Sequence, residues 1–445
     1  MARRRPRLRR ALANVGLLLL LAASLAVWVR LPWYGAIALA VLLALWMTLF
    51  RRGRQAASVT AVGISTLRDR LSSSAVIVVG IAGVVAVLVS LLAMGVGYRE
   101  TLSKSGSADT AVVMRGGSAS EVSSVLDHAS VTAIAEAPGI ARDAAGKPIA
   151  SPELVVAANL PLKDGSGDDG SVQVRGVGDE AWTLRPEVKI IAGRKFKPGL
   201  RELVAGKGAQ RQFAGLEPGH EIKLGSQTWT VVGIFDSGNA LGSELWGDAD
   251  IIASAYRRGS SRTSVFVRLT DATAFGAFKA ALAGDPRLQV DADTTLNYFS
   301  KQSEGFTKAI SIIGMIVGGI MGIGAVFGAL NTMFAAVASR AREIATLRAI
   351  GFRGPPVVVA VMLETMLLAA LGGLLGGLLA WALFNGYSAS TLTQGTVGSL
   401  NFQLRVTPAL LWTGLKWALA IGFIGGLFPA VRAARLPVTT ALRES

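Results

Sequence analysis

A chain of 445 residues that is 51% hydrophobic, with a mean hydropathy of +0.48, lies outside the soluble range and points to a membrane. It has no Cys and only two His, His128 and His220, which excludes thiolate metal sites, thiol catalysis and disulfides and leaves too little imidazole for a histidine-rich centre. The formal charge of +16 is a matter of topology and not of nucleic-acid binding: segments 1–10, 51–54, 68–70, 340–353 and 432–445 hold 18 Lys/Arg against 3 Asp/Glu, and the remainder is 27 against 26. All five segments abut apolar runs, as expected for positive-inside loops beside anionic lipid.

In chain order, six Arg within residues 1–10 precede apolar 11–29, then Arg30-Leu31-Pro32, apolar 33–50 and the Arg51–Arg54 cluster. A basic start and an Ala-rich run also fit a secretory signal peptide. A second apolar run closed by another Arg cluster favours a two-helix hairpin over residues 1–54, each arm about 20 residues long as a bilayer requires. Residues 55–72 place Ile64, Leu67 and Leu71 at helical spacing among Arg68, Asp69 and Arg70, the pattern of an interfacial helix, which leads into an uninterrupted apolar span over 74–97. From Tyr98 to about Gly305 the chain turns polar. Alternating stretches at Ser171–Val177, Glu221–Leu224, Gln227–Phe235 and Ser264–Leu269 read as strands, and 120–137 and 272–283 read as helices. The expected unit is a mixed α/β domain over 98–305, on the outer side by positive-inside ordering, between two transmembrane helices.

The span from Phe306 to about Ala336 is longer than a bilayer requires. Gly314, Gly318 and Gly322 repeat at i+4, as do Gly324 and Gly328, and Gly372-Gly373 and Gly376-Gly377 lie on one face of 357–384. Such small-residue stripes permit close helix approach, although glycine is also simply common in membrane helices. A short outer loop, 385–406, precedes the last span, 407–431. The expected fold is a polytopic α-helical membrane protein of six spans, or four plus the hairpin, with a large mixed α/β domain inserted and both termini inside.

Between two spans, Asn331–Phe352 reads NTMFAAVASRAREIATLRAIGF. On a helix, Val337, Ala341, Ile344 and Leu347 share one side and Ser339, Arg342, Glu343 and Thr346 the other, while Arg340 and Arg348 flank the apolar face, where their stems lie along lipid. Pattern alone leaves open whether this is a docking surface or a charged turn that fixes topology. No stretch matches GxxxxGK[ST]; Ala205-Gly206-Lys207-Gly208 lacks the leading Gly and the Ser/Thr. No catalytic or metal-ligating set is assigned. Glu364, about two turns into its span, is either a proton-relay carboxylate or, the favoured reading, a partner for a neighbouring helix. Asp236–Trp246 (DSGNALGSELW) reads as a binding loop or an ordinary edge loop.

SRAREIATLRAIGF after NTM resembles the coupling segment of MacB-like permeases, the FtsX superfamily of ABC transporters, and GGLFPAVRAARLPVTTALRES resembles that family's C-terminal signature. Val174–Val177, Gly193-Arg194 with Pro198-Gly199, and WTVVGIF at Trp229–Phe235 are similar to its periplasmic core. The resemblance covers residues 58–445, so the hairpin 1–54 is extra to the usual four-span pattern. It implies a non-catalytic permease subunit in a bacterial inner membrane that binds no cofactor itself, pairs as a homodimer with two copies of a cytoplasmic ATPase carrying ATP and Mg, and leaves room for a periplasmic adaptor. It carries the coupling role to 337–353, that is to Ser339, Arg340, Arg342, Glu343, Thr346 and Arg348, and it places Glu364 with an acidic residue common early in this span. Mechanotransmission to the external domain, driving extrusion from the periplasm or outer leaflet, is the function it implies. A signalling scaffold that activates a periplasmic cell-wall hydrolase is the alternative, and a domain near 200 residues disfavours it.

Overall fold

The computed structural model describes residues 27–28, 30–65, 71–163, 165, 167–391 and 399–435, apart from the Ser73 side chain. The first arm of the expected hairpin up to residue 26, Leu67–Arg70 of the expected interfacial helix and the end of the C-terminal signature lie outside them. The chain divides into two units: residues 1–93, 310–385 and 405–445, and residues 94–309 with 386–404.

In the first unit, α1 (Trp33–Leu49) and α2 (Arg51–Ser65) meet at a bend of 102°. They are followed by α3 (Leu71–Ser103) and α4 (Thr295–Ser339), whose residues 94–103 and 295–309 belong to the second unit, and by α5 (Ala341–Ala349), α6 (Gly354–Phe384) and α7 (Pro408–Arg435). Among the described residues, four helices are long and apolar enough to cross a membrane, within α3, α4, α6 and α7, and the bent pair is a fifth if it counts as one span. The chain is thus a polytopic membrane protein. At 45 residues α4 is about 68 Å long at the usual rise per residue, well beyond bilayer thickness.

Glycine sets the packing of these helices. A Cβ on Gly372 would stand 2.8 Å from the Val78 carbonyl and 3.0 Å from Ile81 Cβ, and Gly376 backs onto the Ala82 carbonyl, so α6 and α3 touch backbone to backbone. The neighbouring Gly373 and Gly377 face α7, at 2.7 Å from Ala418 and 3.1 Å from Leu411. Gly426 on α7 returns the contact at Thr365. The stripe on α4 divides: Gly314 and Gly318 pack on Leu91, Leu92 and Leu88 of α3, whereas Gly322 packs on Ile421 of α7. Among the described residues, Gly324 and Gly328 meet nothing within 4 Å and take no part in these seams. Two residues on from Gly322 is about 200° around a helix, so Gly324 faces away from the bundle.

The buried face of α2 also differs from the expected one. Gly53, Ala56, Val59, Thr60 and Gly63 are buried, whereas Ile64 is exposed and so is Leu71. Small residues are turned inward because close neighbours leave no room for larger ones.

The second unit is built on a ten-stranded mixed sheet in the order β10-β1-β9-β2-β3-β8-β5-β7-β4, with β6 also on β7. The strands are β1 (Thr110–Arg115), β2 (Ala150–Pro161), β3 (Asp169–Val177), β4 (Lys189–Gly193), β5 (Glu202–Gly206), β6 (Glu221–Leu224), β7 (Gln227–Asp236), β8 (Glu244–Asp248), β9 (Ser264–Arg268) and β10 (Val290–Thr294). A two-stranded ribbon, β11 (Ser388–Ser390) and β12 (Asn401–Gln403), completes the set. Strand β2 changes partner midway: Ala150–Glu153 pair with β9, and Leu154–Pro161 pair with β3. Two apolar cores follow from that switch. One gathers Leu154, Val156, Val172, Val174, Leu245 and Trp229; the other gathers Val113, Ile134, Val265, Val267 and Phe278. The helix expected over 120–137 is divided, because only Glu121–Ser123 form a 3-10 turn and Asp127 caps a separate helix, His128–Ala135, by accepting from the Ser130 N–H.

Candidate functional site

Helix α4 ends at Ser339, and Arg340 serves as the N-cap of α5 with φ −103° and ψ 11°; its carbonyl accepts from the Ile344 N–H at 3.0 Å. The guanidinium caps nothing and turns inward instead. Its Nε donates to Glu343 at 3.0 Å and its Nη1 donates to Glu364 at 3.1 Å. Glu364 on α6 is buried, at 4% exposure, and Gly63 of α2 lies against the pair: a Cβ there would stand 3.1 Å from Glu364 Oε2 and 3.3 Å from Arg340 Nη1. Helices α2 and α6 and the α4–α5 junction therefore meet at one ion pair. Arg340 does not lie along lipid, as the sequence had placed it, because its guanidinium is drawn to the buried Glu364 carboxylate.

The break at Arg340 resets the helical register. Val337, Ile344 and Ala345 are buried, while Ala341 and Leu347 are only half-buried. Ser339, Arg342, Glu343 and Thr346 are exposed, and Arg348 is half-buried. A Schellman closure ends α5: the Gly351 N–H donates to the Arg348 carbonyl and the Phe352 N–H to the Leu347 carbonyl, with Gly351 at φ +107°. Arg353 then caps α6, whose first turn accommodates Pro355 and Pro356 because the first-turn N–H groups have no intrahelical partner. The result is a short, rigidly tied helix that presents Arg342, Glu343 and Thr346 outward.

The second unit holds a larger charged centre that sequence reasoning missed. Alternation along β2, β3 and β8 sends Leu154, Val156, Val172, Val174 and Leu245 into one core and leaves Val155, Gln173, Arg175 and Glu244 on the opposite face. Arg175, 2% exposed, donates to three glutamates. Its Nε and Nη2 grip Glu244 at 2.7 and 2.8 Å, Nη1 reaches Glu121 at 2.7 Å and Glu153 at 2.8 Å, and Nη2 also reaches Glu121 at 3.2 Å. Arg185 takes the other side of Glu153 at 2.5 and 3.0 Å and stacks on Phe266, with the guanidinium 4.4 Å from the ring centre. Ser264 donates to Glu121 at 2.7 Å, and the Trp246 indole donates to Glu244 at 2.9 Å. Burial pushes the Glu153 carboxyl up, but attraction to Arg185 and Arg175 and their hydrogen bonds outweigh it and hold the group below the usual carboxylate range. Burial likewise opposes the charge on Arg175, and Glu121 and Glu244 more than restore it.

Asp236–Trp246 is not an edge loop. From Asn239 to Trp246 it is buried, through a 3-10 turn over Ala240–Ser243 and into the interior strand β8, because Leu241 and Trp246 fill a core with Phe235 and Val204. Asp236 stays at the surface, in an ion pair with Lys207 at 2.7 Å.

Two family models match the chain: the MacB-like periplasmic core domain over residues 74–284 and the FtsX-like permease C-terminal region over residues 314–438. The chain is similar to the macrolide export ATP-binding/permease protein MacB of Bordetella avium, at 26% identity over 422 residues, 88% of this chain and 61% of that protein. It is similar to MacB of Escherichia coli, at 26% over 420 residues, 90% and 62%. Against the uncharacterized ABC transporter permease YknZ of Bacillus subtilis it is 25% identical over 292 residues, 62% of this chain and 71% of that protein. The chain thus spans about three fifths of the length of the MacB proteins it matches. Among solved structures, the extracellular domain of YknZ aligns with 42% of this chain and 100% of its own at a TM-score of 0.32 and 14% identity.

Proposed function

The chain belongs to the MacB-like, FtsX-type permeases of ABC transporters, and from that premise we propose that it is a non-catalytic permease subunit worked by a separate ATPase. The observation that carries the reading is the exposed face of α5, where Arg342, Glu343 and Thr346 stand on a short helix tied between two apolar spans. The basic clusters beside the spans support a cytoplasmic position for this helix and both termini in a bacterial inner membrane, by the positive-inside rule. ATP and Mg belong to the ATPase, of which two copies serve a permease homodimer; this chain has no phosphate-cradling loop of the GxxxxGK[ST] kind.

In this reading, nucleotide-driven movement reaches α5, the Arg340–Glu364 pair passes it to α2 and α6, and the glycine contacts let the helices shift without breaking directional bonds. The external domain responds and extrudes a substrate from the periplasm or the outer leaflet. The export named for the MacB relatives supports that direction.

Co-purification with an ABC-type ATPase from the same cell tests the docking face. Paired reversal of Arg342→Glu and Glu343→Arg should abolish recovery of the ATPase while leaving the permease folded. Undiminished recovery removes α5 as the docking helix.

A further inference from the structure

Within the external unit a cavity of about 550 Å³ opens beside the buried charged centre. Its walls carry four aromatic rings, Tyr98, Tyr298, Phe299 and Phe306, and the charged side chains Glu121, Glu244 and Arg175. Glu153 and Arg185 are not among the lining residues, and they form a neutral pair behind the wall. The charge that faces the cavity is therefore two carboxylates against one guanidinium.

A surplus buried carboxylate costs several kcal/mol unless something positive answers it. The hydrogen bonds locate the surplus. Both oxygens of Glu244 are held short, by Arg175 and by the Trp246 indole, whereas Glu121 Oε1 receives a single long bond of 3.2 Å from Arg175 Nη2. Carboxylate oxygens accept about two bonds each, so Glu121 keeps accepting capacity at the cavity wall. Aromatic faces supply the second half of the recognition, because the quadrupole of a ring attracts a cation and its area buries an apolar body. The volume falls in the range of drug-sized ligands, about 300–1,000 Å³, and far exceeds what an inorganic ion fills.

We propose that this cavity is a binding site for an organic monocation with a bulky apolar body, its charge set against Glu121 and its body among Tyr98, Tyr298, Phe299 and Phe306. Naming that ligand a transported substrate rests on the export reading; the binding itself does not.

The test uses the full chain in lipid nanodiscs without any ATPase, so its outcome is independent of coupling, and empty nanodiscs provide the blank. The probes are tetraphenylphosphonium and its anionic counterpart of the same shape, tetraphenylborate. Saturable binding of the cation alone is expected. Glu121→Gln, which keeps shape and the capacity to accept from Ser264, should weaken it about tenfold, which corresponds to roughly 1.4 kcal/mol. Leu400→Trp fills the cavity from a lining position without altering charge and should abolish binding, so the site is tested even where Glu121→Gln perturbs folding. Equal binding of the two ions, or cation binding that survives Leu400→Trp, overturns the proposal. If the cation binds as expected while ATPase recovery is unaffected by the α5 reversals, the site stands and the coupling assignment falls.

Discussion

Gly372 and Arg175 are both buried where elements cross, and they hold their neighbours by opposite means. At Gly372 the side chain is missing altogether, so the α3 and α6 backbones come within van der Waals contact. At Arg175 a long side chain is present, and its directional N–H donors fix three strands and a turn at once. A glycine seam has no directional bond to lose when one helix slides or pivots on another. A guanidinium shared by three carboxylates loses bonds with any displacement. The membrane unit is thus built from contacts that tolerate small shifts, and the external unit from a centre that resists them.

The largest expected effect is at that centre. Arg175→Met leaves Glu121 and Glu244 buried without their cation and should destabilise the external unit by about 4 kcal/mol, the usual cost of breaking a buried ion pair on one side. Chemical denaturation followed by tryptophan fluorescence reads it, since Trp246 sits in the centre. A loss below about 1 kcal/mol means that the cluster is dispensable and the contrast with the seam is wrong.

The same centre makes a prediction in pH. Glu153 is held below the ordinary carboxylate value in the folded state, so folding favours its ionised form. Its contribution is complete above the unfolded value of about 4.3 and is lost as pH falls through the lower folded value. External-unit stability should be flat from neutrality to about pH 5 and decline below about pH 4, and Glu153→Gln should remove part of that decline. A decline that begins near neutrality points to other groups.

Next comes the seam. Gly372→Ala places a methyl group 2.8 Å from the Val78 carbonyl, so α3 and α6 must part, at an overpacking cost of about 2 kcal/mol. Thermal unfolding in nanodiscs measures it.

The sequence exposed these two devices unequally. Apolar runs of bilayer length, the Gly repeats on α6 and the charged turn between two spans were legible because membrane helices advertise themselves by length and composition. Strands β6 and β7 were legible because their burial alternates. Strands β1, β5 and β8 were missed because they run through the interior of the sheet with both faces covered, as in VVMR, ELVAG and ELWGD, and show no alternation. In the sequence Arg175 stands out only within the motif Val174–Val177. Its partners Glu121, Glu153 and Glu244 stand 54, 22 and 69 residues away, and no local period brings them together. An arginine within the strand SVQVRGV, flanked by Val and Gly, was the one signal that could have marked the centre. Arg340 was assigned to the lipid surface because a helix was carried unbroken through it, and the real break turns it to Glu364.

The smallest expected effect sharpens the comparison from inside the membrane unit. Gly324 and Gly328 share the i+4 spacing of the seam glycines, yet meet nothing within 4 Å among the described residues. If spacing itself conferred the packing role, Gly324→Ala with Gly328→Ala would cost as much as Gly372→Ala. If contact confers it, the added methyl groups enter open space and stability should change by no more than about 0.5 kcal/mol. Ile316, Ile320 and Phe327 are exposed on the same helix, so a homodimer seated on α4 would cover this surface. A double substitution that spares the thermal stability of the monomer but weakens self-association in nanodiscs assigns these glycines to contact with a second copy. One that leaves both unchanged assigns the face to lipid, where glycine spacing has no packing consequence.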